Sequence, residues 1–183
     1  MPKLFKWVAV VFGGLILLLV IIGLGGSDSY EVPSVSKQVA QEEEIIYGVG
    51  ETMVYPRIEL IIVSVNHKKS VGGEFLNEVA SEGAILITVD YKYKNTSPEP
   101  IRSFSKPRIK LIDNKGVEYN PDIGKSSVYA VEKNIDSKVI SDLNPGITVN
   151  DVEVFEIGEK QFVEDKWTLL VSSDNETYRV AIE

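Results

Sequence analysis

Ala84-Ile-Leu-Ile-Thr-Val-Asp-Tyr-Lys-Tyr-Lys94 alternates between apolar and polar residues along most of its length. Ile85, Ile87, Val89, Tyr91 and Tyr93 fall on one side, and Thr88, Asp90, Lys92 and Lys94 fall on the other. Side chains alternate between the two faces of a strand, so this pattern predicts a β-strand with one buried face, the tyrosines included. Upstream, residues 57–66 (RIELIIVSVN) are apolar on both sides in their middle, as in a strand covered on each face. Downstream, residues 108–113 and 117–119 flank Asn114-Lys115-Gly116, a hairpin signal in which Gly116 takes positive φ. Residues 151–157 (DVEVFEI), 167–172 (WTLLVS) and 178–182 (YRVAI) read as further strands, with Asp174-Asn175 turning between the last two. Trp167 opens its strand and belongs to the core or its rim.

At least seven short strands therefore separate turn-rich loops, and no βαβ rhythm of a parallel sheet occurs. This predicts an all-β, antiparallel immunoglobulin-like β-sandwich over residues 45–183, with one hydrophobic core. Residues 73–82 (GEFLNEVASE) read as a helical turn or two within a loop, and 126–143 mix a strand or short helix with loop. Gly48 and Gly50 suit a bend, Asn95 ends the strongest strand, and Pro145-Gly146 is a type II turn signature.

The other end of the chain is chemically different. Residues 1–6 carry Lys3 and Lys6 and no acid, and residues 7–26 (WVAVVFGGLILLLVIIGLGG) carry no charge. As a helix, such a run matches the roughly 30 Å hydrocarbon core of a bilayer. It exceeds the apolar stretch of about 7–15 residues in a signal peptide and lacks an A-x-A site, although Gly23 and Gly25 offer small residues. The expectation is one N-terminal transmembrane helix serving as an uncleaved anchor; cleavage would make the protein secreted. With both lysines before the span, residues 1–6 stay cytoplasmic and the C-terminal part lies outside. Residues 27–44 form a polar stalk, in which Glu42-Glu43-Glu44 is solvated linker. Removing Lys3 and Lys6 from the 19 basic residues leaves 17 against 27 acidic ones, a net charge of −10 for the outer part. That balance argues against nucleic acid or anionic headgroups as partners. The chain has no cysteine, so the domain is held by its core without disulfides.

The order of features resembles a known family: Tyr47-Gly-Val-Gly-Glu-Thr-Met53, the strand ending Ile62-Val-Ser-Val65, then Ile87 through Thr96. Ile109-Lys-Leu-Ile-Asp-Asn-Lys-Gly-Val-Glu-Tyr119, Leu143-Asn-Pro-Gly146 and Val152-Glu-Val-Phe-Glu-Ile157 follow. It is similar to the telokin-like, immunoglobulin-fold extracellular domains of bacteria called DUF4352, related to MPT63-type antigens. The likeness covers residues 45–183 and implies fold and an extracellular location, but no common activity and no functional residues. Many members carry a lipobox cysteine; this chain has a plain apolar span instead.

Catalytic and metal signatures are absent from the sequence. His67 is the single histidine, beside Lys68 and Lys69 at a strand end, and reads as an exposed surface residue. No zinc pattern, G-x-S-x-G elbow, P-loop or G-x-G-x-x-G occurs. Asp113, Asn114, Glu118 and Asp122 offer oxygen ligands for calcium, but without the EF-hand pattern Asp113 to Gly116 is more simply a turn. Asn95-Thr-Ser97 and Asn175-Glu-Thr177 are sequons, meaningful only in a eukaryotic secretory host. No catalytic, cofactor-binding or metal residue is assigned and no cofactor is expected. The expected function is a non-enzymatic, membrane-anchored binding or accessory module with a protein or cell-envelope ligand. The alternatives are an assembly subunit pairing through its span or a bare sheet edge, and an enzyme with a site built from scattered Asp, Ser and Lys residues.

Overall fold

The computed structural model describes residues 45–135, 141–164 and 166–182. The anchor at 7–26 and the stalk at 27–44 lie outside the described residues. Among the described residues no helix is long and apolar enough to cross a membrane.

The chain folds as a β-sandwich. One sheet has five strands in the order β1 (Ile46–Tyr47), β11 (Glu176–Ile182), β10 (Trp167–Ser173), β7 (Arg108–Ile112) and β8 (Glu118–Tyr119). The other has four: β2 (Thr52–Val54), β3 (Ile58–Lys68), β6 (Ala84–Asn95) and β9 (Thr148–Gly158). Pairing within both sheets is antiparallel except between β1 and β11. A hairpin, β4 (Ser70–Gly72) with β5 (Asn77–Val79), and two helices, α1 (Ile123–Glu132) and α2 (Glu159–Glu164), complete the domain.

The predicted face of β6 is the centre of the core. Ile87 and Val89 are fully buried, Tyr91 and Tyr93 nearly so, and they pack with Leu60, Ile62, Phe155, Leu111, Leu169, Val171 and Val180 from both sheets. Trp167 belongs to the same cluster. The opposite face of β6 departs from expectation in its first half: Leu86 and Thr88 are also buried. The cause is α1, whose Val128, Tyr129 and Ala130 form a second apolar cluster with Leu86, Val71, Val152 and Val154.

Local chemistry ends α1 on both sides. The Asp122 carboxylate accepts from the Lys125 amide at 2.9 Å, capping the first turn. At the other end Asn134 adopts φ 53°, its amide donates to Val131, and the Ile135 amide donates to Ala130. That is a Schellman closure with asparagine in the left-handed position. Segment 126–143 thus resolves in favour of the short helix, which begins at Ile123.

β3 is not covered on both faces. Ile58, Leu60 and Ile62 are buried, while Val63 is half-exposed. A register shift between Ile62 and Ser64 changes the phase of the strand, so that Val65 returns to the core cluster. One buried face written in two phases looks like two buried faces in the sequence.

Segment 73–82 forms no helical turn; it supplies the connection and second strand of the β4–β5 hairpin. Gly72 has φ 106°, and a Cβ there would lie 2.1 Å from the Leu76 carbonyl oxygen, so only glycine closes this hairpin. The other predicted turns form. Asp174 and Asn175 take φ 51° and 68°, a two-residue hairpin between β10 and β11. Asn95 ends β6, as expected, and its side chain bonds the local backbone. It is fully buried, and its Nδ2 donates to the Glu99 and Leu143 carbonyls while its Oδ1 accepts from Ser97.

Candidate functional site

One end of the five-stranded sheet opens into a groove of about 530 Å³. Its walls are Arg57 before β3, Lys106, Arg108 and Lys110 around β7, and Ser172, Asp174 and Thr177 at the β10–β11 hairpin. Four cations thus meet in a chain whose net charge is −8. The sheet register makes this convergence. Arg108 is paired with Ser172, which is paired with Thr177, so one cross-strand row presents a guanidinium and two hydroxyls. The Ser172 and Thr177 hydroxyls lie 2.9 Å apart.

The cations differ in their commitments. Arg57 is fastened to the Asp174 carboxylate, with Nε at 2.7 Å from Oδ1. Lys110 Nζ lies 2.7 Å from Glu118 Oε2 on the exposed surface. Arg108 is exposed and makes no hydrogen bond or ion pair among the described residues. Burial holds the Lys106 amine below the ordinary lysine range, and the charge of Asp151 opposes that shift. An arginine without a partner beside hydroxyl groups is chemically suited to a phosphate or carboxylate, which a guanidinium can grip through two parallel hydrogen bonds.

A second cavity, of about 230 Å³, adjoins the first through Lys106 and is lined by Tyr91, Ser126, Asp151 and Glu153. Asp151 is in register with Tyr91, and Glu153 with Val89, so both acids lie on the core-facing side of β9. Burial, then the neighbouring Asp151, pushes the Glu153 carboxyl up to about 7; the Ser126 hydroxyl, donating at 3.2 Å, opposes this. Asp151 is also raised by burial, against the Val152 amide, the Lys106 charge and the Tyr91 hydroxyl. β9 is an edge strand, and inward-pointing acids deter edge-to-edge pairing. α1 adds a cover there: the Asp122 amide donates to the Val154 carbonyl at 2.7 Å, and the Val154 amide donates to Ser126 Oγ at 2.9 Å. The remaining edge strands β1, β2 and β8 are two or three residues long.

The residues singled out from the sequence do not converge. His67 lies within β3 rather than beyond it, opposite Ile87, exposed, its ring 6.1 Å from that of Phe162. The Asp113 carboxylate is consumed by its turn, accepting from the Lys115 and Val117 amides at 2.9 Å and from the Tyr119 hydroxyl at 3.3 Å. Glu118 pairs with Lys110, and Asp122 caps α1. Among the described residues no group of three or more acidic or histidine side chains is arranged to hold a metal. Buried Asn95 is inaccessible as a sequon, whereas Asn175 is exposed at a hairpin tip. The groove cations went unread because they are drawn from separate segments; the available signal was Arg108 and Lys110 on the outward side of a strand whose inward residues are Ile109 and Leu111.

No family model matches the chain. A conserved hypothetical protein from Bacillus anthracis, known from its crystal structure, superposes with a TM-score of 0.66 at 25% identity, covering 73% of this chain and 94% of that one. An uncharacterized β-sandwich protein from Clostridium difficile superposes with a TM-score of 0.56 at 16% identity, covering 78% of this chain and 98% of that one, and supports the fold alone. In sequence, the uncharacterized protein YxkC of Bacillus subtilis is 39% identical over 134 residues, 73% of this chain and 74% of YxkC. At that identity and coverage, the chain belongs to the same family as YxkC.

Proposed function

We propose that this protein is a membrane-tethered, extracytoplasmic binding module, without catalytic activity, that holds an anionic ligand in the groove at the β7 and β10–β11 end of its sandwich. The observation that carries this is the cluster of Arg57, Lys106, Arg108 and Lys110 with the hydroxyls of Ser172 and Thr177, in a chain of net charge −8. Among the described residues Arg108 has no hydrogen-bond or ion-pair partner, and a bound anion supplies one. The tether is the uncharged run at 7–26, and its orientation follows from Lys3 and Lys6 before it. The β-sandwich supports this reading, and the immunoglobulin-like topology and DUF4352 membership are part of the proposal.

Two experiments test this. Glycerol phosphate and galacturonate titrated into the full chain are expected to shift the amide resonances of Arg108, Ser172 and Thr177. Arg108→Glu should weaken that binding at least about tenfold, through the lost charge-assisted bonds and a new repulsion. A groove that ignores both anions overturns the ligand assignment. Protease added to intact cells should digest the 45–183 domain while it remains membrane-bound; full protection would place the domain in the cytoplasm instead.

A further inference from the structure

We infer that the ligand is a linear polyanion, a chain of repeated phosphate or carboxylate groups, that leaves the groove and continues across the outer face of the five-stranded sheet. This rests on the groove being an anion site, and extends it to residues outside the groove. Along β7, Arg108 and Lys110 point to the same side, about 6.8 Å apart at two residues of strand rise. In the next row Lys110 is in register with Leu170, and Leu170 with Arg179 of β11. Lys110 and Arg179 therefore stand on either side of β10, about 9.6 Å apart at the usual strand spacing. Arg179 is not part of the groove wall, yet it faces the same way. α1 packs on β9 of the other sheet, and α2 packs on β9 and β6 and stacks its Phe162 on Trp167 at the start of β10, two residues before the Leu169–Leu170 stretch of that strand.

The arrangement discriminates between ligands by size. One compact anion satisfies the Arg108 end of this surface and does not reach Arg179, which lies outside the groove wall. A chain with acidic groups at regular intervals engages Arg108, Lys110 and Arg179 together, and each further contact is gained at the high effective concentration set by the first. Asp174 and Glu176 also line the groove, Asp174 held by Arg57, and the exposed pair of Glu118 with Lys110 is one that a polyanion exchanges at little cost. The half-buried Leu170 and the Ser172 and Thr177 hydroxyls between the cations suit a backbone of carbons and hydroxyls, as in a polyol or sugar chain.

The test is calorimetry on the full chain in a neutral detergent, with glycerol phosphate against its oligomer and galacturonate against its oligomer. One oligomer is expected to bind at least about tenfold more tightly than its monomer, and whichever does so identifies the acidic group as phosphate or carboxylate. Arg179→Glu should weaken the oligomer about fivefold or more and leave the monomer unchanged, whereas Arg108→Glu should weaken both. Arg179→Gln, which keeps a polar side chain, should fall between. Oligomer and monomer binding equally, or an oligomer indifferent to Arg179→Glu, overturns the extended path while leaving the groove standing. Indifference of every ligand to Arg108→Glu overturns the groove itself.

Discussion

Ile87→Asp is expected to abolish cooperative folding of the sandwich. Ile87 is completely buried at the middle of β6, opposite Phe155 on β9 and His67 on β3, within the cluster that joins both sheets. An aspartate there loses the burial of a large aliphatic side chain, about 2–3 kcal/mol, and leaves a carboxylate without a partner. The carboxylate escapes that penalty only by taking up a proton or by distorting the strand. Together these exceed about 5 kcal/mol, comparable with the whole stability of a domain this size. The measurement is thermal unfolding followed by far-UV circular dichroism. The parent should show a cooperative β transition and the variant none. A variant melting within a few degrees of the parent would mean that β6 presents its other face to the core.

Glu153→Gln is expected to stabilise the domain above neutral pH and to have little effect near pH 4.5. The folded chain holds the Glu153 proton up to about pH 7, whereas the ordinary glutamate value is 4.5. Between those values the folded state binds a proton that the unfolded state has released, so stability falls as pH rises through this window. The shift corresponds to about 3 kcal/mol if fully expressed, and about 1–3 kcal/mol allowing for a partly exposed side chain. Asp151, also raised, acts in the same direction. Glutamine removes the ionisation, keeps an acceptor for the Ser126 hydroxyl and adds no bulk. Asp113, Asp122, Glu132 and Glu156 have the opposite sign, since amide or lysine donors depress each of them. Their contribution is present above the ordinary carboxylate range and is lost as pH falls through their depressed values. The parent's melting temperature should therefore peak at mildly acidic pH, and Glu153→Gln should flatten the alkaline side alone. A parent profile level from pH 5 to 8, with the variant parallel to it, would refute the buried acid.

The elements read correctly in advance share one property: neighbours in the chain specify them. The alternation of β6, the Asp174-Asn175 turn, Gly116 and Gly146 at positive φ, and the strands opened by Trp167 and Tyr178 all follow from period-two burial and the turn chemistry of a few adjacent residues. Those signals sufficed for an all-β sandwich with Tyr91, Tyr93 and Trp167 inside. Charge and hydropathy likewise set apart residues 7–26 as an apolar run beside an acidic chain.

Everything beyond this depended on pairing at a distance. α1 carries the β-branched Val128 and Val131 and a short apolar face, so its helicity is settled by docking on Leu86, Val152 and Val154 and by its two caps. The bulge at Ile62 to Ser64 and the closure of Gly72 under Leu76 are answers to partner strands that local sequence does not mention. The groove is the furthest from local control. Arg57 and Asp174 are 117 residues apart, and Arg108, Ser172 and Thr177 form one row solely because β7, β10 and β11 lie side by side in that register. Alternation tells each strand which face to bury. Which outward residues then become neighbours is decided by strand order and register, and so the surface that meets a ligand is a property of the tertiary structure alone.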